Sequence, residues 1–326
     1  MSAPLLEVRA LHVDFPTRRG SLRALDGVSF DIAPGEILGV VGESGAGKSL
    51  TGAAIIGLLD PPGHVSGGEI LLDGRRIDNL APEAMRRLRG KQIGAIFQDP
   101  LTSLNPLYTI GRQLIETLRT HLPLDAAQAR ERAVDLLRQT GIPAPEVRLD
   151  QYPHEFSGGM RQRAVIALAL AGEPRLIIAD EPTTALDVVV QAQIIALLRQ
   201  VSQAHGAAVM LITHDMGVIA ETCDRVAVMY AGRVVEIGPV QEVIHRPAHP
   251  YTAGLMASVP TLDADEGRLA QIEGSLPRLD AIPSGCAFHP RCPKSSARCE
   301  TERPELELVG RTRAACWWPI VEGAFP

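Results

Sequence analysis

The feature that most constrains the fold of this chain is the glycine-rich segment Gly42-Glu43-Ser44-Gly45-Ala46-Gly47-Lys48-Ser49. It follows the apolar run 37–41 and precedes a helical run that extends to Leu59. Strand, glycine-rich turn and helix in this order are the context of a phosphate-binding loop. Its glycines let backbone N–H groups point at an anion, and the helix adds its positive N-terminal end. We therefore predict that Lys48 reaches the β- and γ-phosphates of a nucleotide and that Ser49 binds Mg²⁺. An ordinary glycine-rich turn is the alternative.

Length and charge narrow the class of protein. The 326 residues are enough for one large α/β domain and an appendage. Lys and Arg number 32 against 38 Asp and Glu, a net charge of −6, which argues against a nucleic-acid binder. We find no signal-peptide pattern, and the longest apolar runs, 53–59 and 164–171, are too short to span a membrane. We expect a soluble chain whose membrane role, if it has one, depends on a partner.

The N-terminal third alternates between strand and turn patterns. Residues 5–15 predict a strand, 22–25 and 28–32 predict two more, and 69–77 predict a hairpin that turns at Asp73-Gly74. A short helix at 82–89 and a buried strand at 93–97 follow, and Gln98 comes at the end of that strand.

From about residue 101 to 172 the pattern is helical. Asp125 and Gln128 resemble a capping box, and they precede an amphipathic helix over 126–140. Ser157 is a good N-cap, and Gly158 and Gly159 leave N–H groups bare where the next helix begins. This predicts a second anion-binding surface, the plain alternative being a capped helix.

Polar residues recur at the ends of the remaining strands. The strand 175–182 ends at Asp180 and Glu181, where a Mg²⁺-associated carboxylate and a base for the attacking water are expected beside a phosphate loop. Asp187 is predicted to cap a helix that runs to His205. His214 follows the buried strand 207–213. The alternative for Asp180, Glu181 and His214 is that they are ordinary loop residues with no catalytic role.

Together these motifs resemble the nucleotide-binding subunit of ABC transporters over roughly residues 5–260. The matching parts are the phosphate loop Gly42–Ser49, the Q-loop Gln98, the signature Ser157-Gly158-Gly159, the Walker B strand with Asp180 and Glu181, the D-loop Ala185-Leu186-Asp187 and the switch His214. The resemblance implies an α/β fold, a P-loop NTPase of ABC type with a RecA-like core, an antiparallel β subdomain, a helical insertion at about 101–172 and a Cys-rich C-terminal tail. We predict a nucleotide-binding domain at 1–260 and a metal-binding tail at 261–326.

The resemblance also implies a role for each site residue. Glu181 would be the general base, and Gln98 and His214 would sense the γ-phosphate, Mg²⁺ and water. Mg²⁺ would be held at Ser49 and Gln98. Phe15 would stack on adenine, although a lone Phe is ordinarily a core residue. The residues expected to contact ATP are Phe15, Gly42, Glu43, Ser44, Gly45, Ala46, Gly47, Lys48, Ser49, Leu50, Asp180, Ser157, Gly158, Gly159 and Asp187.

Three segments are similar to the oligopeptide/dipeptide importer branch of this family: 156–163, His249-Pro250-Tyr251-Thr252 and 285–293. Phe156 and Met160 differ from the Leu and Gln that the broad family more often has. The branch implies an ATPase that works as a dimer with a like or related subunit on two permeases, supplied by a solute-binding protein, at the cytoplasmic face of the membrane. An importer of nickel or another small solute is the alternative, and a soluble ABC ATPase outside transport is a more distant one.

The tail contains a cluster of cysteines. Cys286, Cys292, Cys299 and Cys316 are separated by five, six and sixteen residues, whereas structural zinc sites usually show closer pairs. Four thiolates also hold iron–sulfur clusters, and some importers of this branch carry a [4Fe-4S] cluster in a similar tail. We rank the cluster first, zinc second and free structural thiols third. Cys223 is predicted to be a small core residue.

Overall fold

A computed structural model describes residues 3–18, 20–184, 186–258 and 271–321. The strands are β1 Leu6–Thr17, β2 Gly20–Ile32, β3 Ile37–Val41, β4 His64–Leu72, β5 Arg75–Arg76, β6 Ile93–Ile96, β7 Leu176–Asp180, β8 Ala208–Ile212, β9 Arg225–Tyr230, β10 Arg233–Pro239, β11 Glu307–Val309 and β12 Thr312–Ala314. The α-helices are α1 Lys48–Ile55, α2 Pro82–Leu88, α3 Pro100–Ser103, α4 Ile110–His121, α5 Ala126–Gln139, α6 Pro145–Arg148, α7 Gly158–Leu170, α8 Val188–His205, α9 Met216–Thr222, α10 Val240–His245, α11 Pro250–Ala257 and α12 Ala297–Thr301.

The chain divides into two compact units built from interleaved segments. The first unit comprises the residues up to Leu5, Ile32–Ile37 and Asn79–Ile212. The second unit comprises Leu6–Asp31, Leu38–Asp78 and the residues from Thr213 onward. The predicted boundary near residue 260 therefore falls inside the second unit, and the proposed division into a nucleotide-binding domain and a tail stays a prediction.

Two sets of paired strands form the second unit. One is a four-stranded sheet in the order β2-β1-β4-β5, in which β4 is antiparallel to both β1 and β5. The other has the order β11-β12-β10-β9-β3, in which β3 and β9 are parallel and the remaining pairs are antiparallel. The fully buried β3 leads directly into the glycine-rich loop, so the loop begins at the carboxyl end of a parallel strand.

The prediction of separate strands at 22–25 and 28–32 was wrong, because β2 is continuous from Gly20 to Ile32. Gly27 lies between the two predicted strands with φ +76°. A glycine can adopt this left-handed conformation without Cβ strain, and strands accommodate it as a local irregularity. Both Leu25 and Val28 remain fully buried on either side of it.

The tail contributes strands that its sequence did not predict. β11 and β12 form a short antiparallel hairpin, and β12 pairs with β10 through Ile237 and Arg313. Gly238 permits the close approach, since a Cβ there would lie 2.7 Å from Cγ2 of Thr312. Strands of three residues are too short to show an alternating pattern, which explains why no periodicity predicts them.

The first unit contains parallel strands in the order β8-β7-β6. Helices α4, α5 and α7 pack against one another and bury Leu114, Leu118 and Leu136. The predicted capping box is confirmed: the Asp125 side chain accepts from the Gln128 N–H at 2.9 Å, and Gln128 returns a bond to the Asp125 N–H at 3.0 Å. Within the described ranges, no helix combines the length and the apolar character that crossing a membrane requires.

Candidate nucleotide site

The loop at 42–49 has a backbone that only glycine can supply at two positions. Gly42 has φ +150°, and a Cβ there would lie 2.2 Å from the Met229 carbonyl oxygen. Gly47 has φ +103°, caps α1, and would place a Cβ 2.7 Å from Leu25 Cδ2. The loop is thus pressed against β2 and β9 while it turns into the helix.

The single lysine of this loop is buried inside its turn. Lys48 is 6% exposed, and its Nζ donates to the carbonyl oxygens of Gly42 at 2.8 Å and Glu43 at 3.0 Å. The ammonium group is therefore held at the mouth of the turn, where it can neutralise phosphate charge. Ser44, Gly45 and Ser49 are exposed, Leu50 is half-buried and Ala46 is fully buried.

In the first unit, Gln98 and Glu181 are brought together across neighbouring parallel strands. Gln98 Nε2 donates to Glu181 Oε2 at 2.8 Å, and Thr184 Oγ1 donates to the same oxygen at 2.9 Å. β6 and β7 run in parallel with Ile96 opposite Ala179, which places the residues that follow them at one edge. Gln98 and Glu181, both predicted at strand ends, are therefore in direct hydrogen-bond contact.

Glu181 has an unusual backbone for a glutamate. Its φ is +45°, and its N–H donates to the Ile212 carbonyl oxygen at 2.9 Å. Left-handed conformations of non-glycine residues cost roughly 1–2 kcal/mol and are concentrated at functional sites. The conformation turns the chain directly after Asp180, the half-buried last residue of β7.

The predicted signature residues begin α7. Ser157 is its N-cap, and the Ser157 hydroxyl accepts from the Met160 N–H at 3.3 Å. Gly158 is exposed, whereas Gly159 lies against α8, where a Cβ would be 2.8 Å from Val190 Cγ1. The exposed Ser157 and Gly158 leave the positive end of a thirteen-residue helix open to an anion.

The other predicted residues are distributed between the two units. Asp187, in the first unit, caps α8 as predicted and accepts from the Val190 N–H at 2.9 Å. Ala185 of the predicted D-loop lies outside the described residues. His214, in the second unit, is exposed directly after β8. Phe15, also in the second unit, is half-buried. Its ring lies against Gly63, since a Cβ added to Gly63 would stand 2.6 Å from Phe15 Cε1.

The four tail cysteines converge although they are far apart in sequence. Cys286, Cys292, Cys299 and Cys316 line one cavity of about 10 Å³ together with Trp317 and Trp318. Burial raises the pKa of the Cys286 and Cys292 thiols, and it raises that of Cys316 to about 11. Across the part of the chain that the structure describes, no three His, Cys, Asp or Glu residues are arranged closely enough to form a metal-ligand set.

Two contacts of the loop were not predicted from the sequence. Arg291 of the tail donates to the Glu43 carboxylate at 3.0 and 3.1 Å, and the Glu43 N–H donates to the Tyr251 hydroxyl at 2.9 Å. Both partners belong to segments that mark the peptide-importer branch. Nothing local in those segments indicates a partner some two hundred residues away.

Comparison with known families and proteins gives one consistent group. The family described as ABC transporter matches residues 25–184, and the family described as oligopeptide/dipeptide transporter, C-terminal region, matches residues 235–299. The chain is 52% identical over 316 residues to the oligopeptide transport ATP-binding protein OppD of Bacillus subtilis, covering 96% of this chain and 88% of that protein. It is 45% identical over 323 residues to the dipeptide transport ATP-binding protein DppD of Escherichia coli, covering 99% of each.

Solved structures agree with this grouping. The dimeric post-hydrolysis state of the ATP-binding cassette MJ0796, bound to ADP and Pi, matches with a TM-score of 0.65 and 27% identity over 72% of this chain and 98% of that one. The cbiO1 component of the Clostridium perfringens cbiONQ transporter complex matches with a TM-score of 0.65 and 30% identity over 75% of this chain and 92% of that one.

Proposed function

The chain belongs to the ABC transporter ATP-binding proteins and is an ATPase, and from this premise we propose that it hydrolyses ATP to drive import of oligopeptides or dipeptides. The observation that carries the proposal is the joint match of a cassette at 25–184 and a peptide-transporter C-terminal region at 235–299. Full-length relatives named for oligopeptide and dipeptide transport support the same cargo class.

Glu181 is the proposed general base. Its carboxylate accepts from Gln98 and Thr184, and these two donors would fix the orientation of the group that takes a proton from the attacking water. Gln98 is thereby proposed to link Mg²⁺ and water to the base, and His214 to sense the γ-phosphate. The Ser49 hydroxyl and Gln98 are the proposed holders of Mg²⁺, with Asp180 as the associated carboxylate, and the ion when bound would neutralise charge on the β- and γ-phosphates.

The remaining nucleotide contacts are proposed for the phosphate loop, Phe15 and the residues that begin α7 and α8. The loop Gly42–Ser49 and Leu50 would surround the phosphates, with Lys48 as the neutralising charge, and Phe15 would stack on the adenine. Ser157, Gly158 and Gly159 are proposed to close the γ-phosphate of a nucleotide held by a facing subunit, and Asp187 to lie beside that contact. This arrangement makes each site composite, so that ATP draws two cassettes together.

The proposed assembly contains a second ATPase subunit of like or related sequence and two permeases, and it receives cargo from a solute-binding protein. The proposed location is the cytoplasmic face of the membrane, where the chain is peripheral. The helices between Pro100 and Leu170 are the proposed insertion that passes movement to the permeases.

Glu181→Gln tests the catalytic assignment. The amide keeps the shape of the side chain but cannot take a proton, so turnover should fall about 100- to 10,000-fold while Mg-ATP binding remains. Glu146→Gln is the matched control, since Glu146 is 61% exposed and pairs with Arg138, and it should hydrolyse ATP at the wild-type rate. Wild-type turnover in Glu181→Gln would contradict the base assignment.

Transport assays in proteoliposomes that contain this chain and the two permeases of the proposed assembly test the cargo. Di- or oligopeptide uptake that requires ATP and is lost in Glu181→Gln is the expected result. Nickel uptake without peptide uptake would replace the cargo assignment and leave the ATPase assignment intact.

We also propose that the four tail cysteines hold a metal centre, with a [4Fe-4S] cluster ranked ahead of zinc. The support is the donor chemistry: four thiols line one cavity, and four Cys ligands are the usual set for such clusters, although the described thiols are not arranged closely enough to form a ligand set. The cavity of about 10 Å³ is close to the space that one water molecule needs. A four-iron cluster would therefore require the segments around it to move outward, whereas a single ion would require less movement.

Anaerobic purification with iron, sulfide and zinc analysis tests this proposal. The chain has two tryptophans, and both line the cysteine cavity, so a bound iron–sulfur cluster should quench their emission. Cys292→Ser should lower the metal content, whereas Cys223→Ser should not, because Cys223 is buried against Gly39 elsewhere. Stoichiometric zinc without iron or sulfide would refute the cluster, and absence of all three would refute the metal centre.

A further inference from the structure

The tail reaches the phosphate loop through one nearly buried arginine. Arg291 is 8% exposed and Glu43 is 27% exposed. Nη1 of Arg291 donates to both carboxylate oxygens of Glu43, at 3.0 and 3.1 Å. Nε and Nη2 donate to the carbonyl oxygens of Glu273 at 2.9 Å and Ile272 at 3.4 Å. The guanidinium is thus anchored to tail backbone on one side and binds a loop carboxylate on the other.

The backbone of the same loop residue is held separately. The N–H of Glu43 donates to the hydroxyl of Tyr251, a fully buried residue. Phe288 of the tail packs against Tyr251 and Tyr230 with ring centroids 5.3 and 5.2 Å away. Glu43 is therefore fixed through its side chain and its backbone to residues that follow the cassette in sequence.

A third contact lies two residues further along the loop. A Cβ on Gly45 would stand 3.3 Å from Cδ2 of Leu276, so this tail side chain lies close to the exposed turn of the loop. Arg291 of the tail thus holds the Glu43 carboxylate, Leu276 of the tail lies beside Gly45, and Tyr251, which precedes the tail, holds the Glu43 backbone. All of these residues belong to the second unit.

The negative charge of Glu43 gives the Arg291 contact a role in binding. A carboxylate within a loop that binds phosphates repels a polyanion at short range. Arg291 neutralises this carboxylate and holds it against the tail. Fixing the loop before the ligand arrives also reduces the ordering cost of binding.

We propose that Arg291 is a positioning residue for nucleotide binding: by pairing with Glu43 it sets the affinity of the phosphate loop for ATP, so that the tail tunes the cassette. The proposal rests on the proposed function, since it requires that the loop bind ATP.

A double-mutant cycle on full-length protein tests the proposal. Arg291→Met keeps the length of the side chain but removes its charge, and it should raise the Kd for Mg-ATP about tenfold, equivalent to ~1.4 kcal/mol. Adding Glu43→Gln should restore most of the affinity, because the unpaired carboxylate is then gone. Arg278→Met is the matched control, since Arg278 is 82% exposed in the same tail and pairs with Asp280, and it should leave the Kd unchanged.

The outcomes separate this inference from the proposed function. Equal Kd values for wild type and Arg291→Met would overturn the inference alone, and so would a double variant as weak as the single one, because the loss would then come from packing. Arg291→Lys keeps the charge, and it should bind Mg-ATP better than Arg291→Met even if both variants lose thermal stability. A wild-type chain that fails to bind Mg-ATP would instead refute the proposed function.

Discussion

The Asp26 carboxylate should stabilise the second unit strongly, and the loss of free energy of unfolding in Asp26→Asn measures this contribution. Its Oδ2 accepts from Arg233 Nη2 at 2.6 Å and Nε at 3.0 Å, and from Arg303 Nη1 at 3.0 Å. The Asp26 carbonyl oxygen accepts from Arg303 Nη2 at 2.8 Å. One carboxylate on β2 therefore joins β10 and the tail.

The expected loss of stability follows from the low exposure of the ion pair. The side chains of Asp26 and Arg233 are 17% and 20% exposed. Removing one partner of a buried ion pair costs roughly 3–5 kcal/mol, and asparagine keeps one oxygen that can still accept. We expect Asp26→Asn to lower the free energy of unfolding by about 3 kcal/mol.

Urea unfolding at pH 7, followed by circular dichroism, is the assay. Asp280→Asn is the matched control, because Asp280 is 50% exposed and its partner Arg278 is 82% exposed, and exposed pairs contribute at most ~1 kcal/mol. A loss in Asp26→Asn no larger than that in Asp280→Asn would refute the reasoning.

The same carboxylate predicts a pH dependence. Burial alone would raise the pKa of Asp26, but hydrogen bonds from Arg233 and the positive charges of Arg233 and Arg303 lower it overall. A lowered folded pKa gives stability that is fully present above the unfolded value of about 3.9 and is lost as the pH falls through the folded value. The stability difference between wild type and Asp26→Asn should therefore shrink in acid, and a constant difference would contradict the ion-pair explanation.

Two further substitutions probe the nucleotide site. Gly47→Ala should abolish detectable Mg-ATP binding and lower the free energy of unfolding by about 2–3 kcal/mol. The reason is that Gly47 has φ +103° and an added Cβ would stand 2.7 Å from Leu25 Cδ2. Equilibrium nucleotide binding and thermal unfolding check this, and wild-type affinity would contradict the required glycine geometry. Gln98→Ala removes the 2.8 Å hydrogen bond to Glu181. It should lower kcat about tenfold and change the affinity for Mg-ATP less. Steady-state kinetics check this, and an unchanged kcat would show that Gln98 does not position the base.

Much of the nucleotide site could be predicted because its signals are local. A glycine-rich loop between an apolar strand and a helix, or an N-cap before a helix, depends on residues within a few positions of one another. Ser157, Asp125 and Asp187 each cap the helix that the sequence indicated. Strand-end residues such as Gln98 and Glu181 could be grouped because parallel strands align their carboxyl ends.

Interactions between distant segments could not be predicted in this way. The continuity of β2 depends on whether neighbouring strands tolerate Gly27, and the pairing of β12 with β10 depends on a strand edge whose residues lie 76 and 78 positions earlier. The left-handed backbone of Glu181 likewise has no local signal, since glutamate does not favour that conformation.

The sequence by itself predicted a phosphate-binding loop, the positions of its glycines and the family that the comparisons then showed, because these properties require particular residue types at short spacings. The tertiary structure alone decided that four scattered cysteines share one cavity and that Arg291 reaches Glu43 across 248 positions of sequence. Such contacts are favourable only after the sheets have brought their partners together, so no short segment carries their signal.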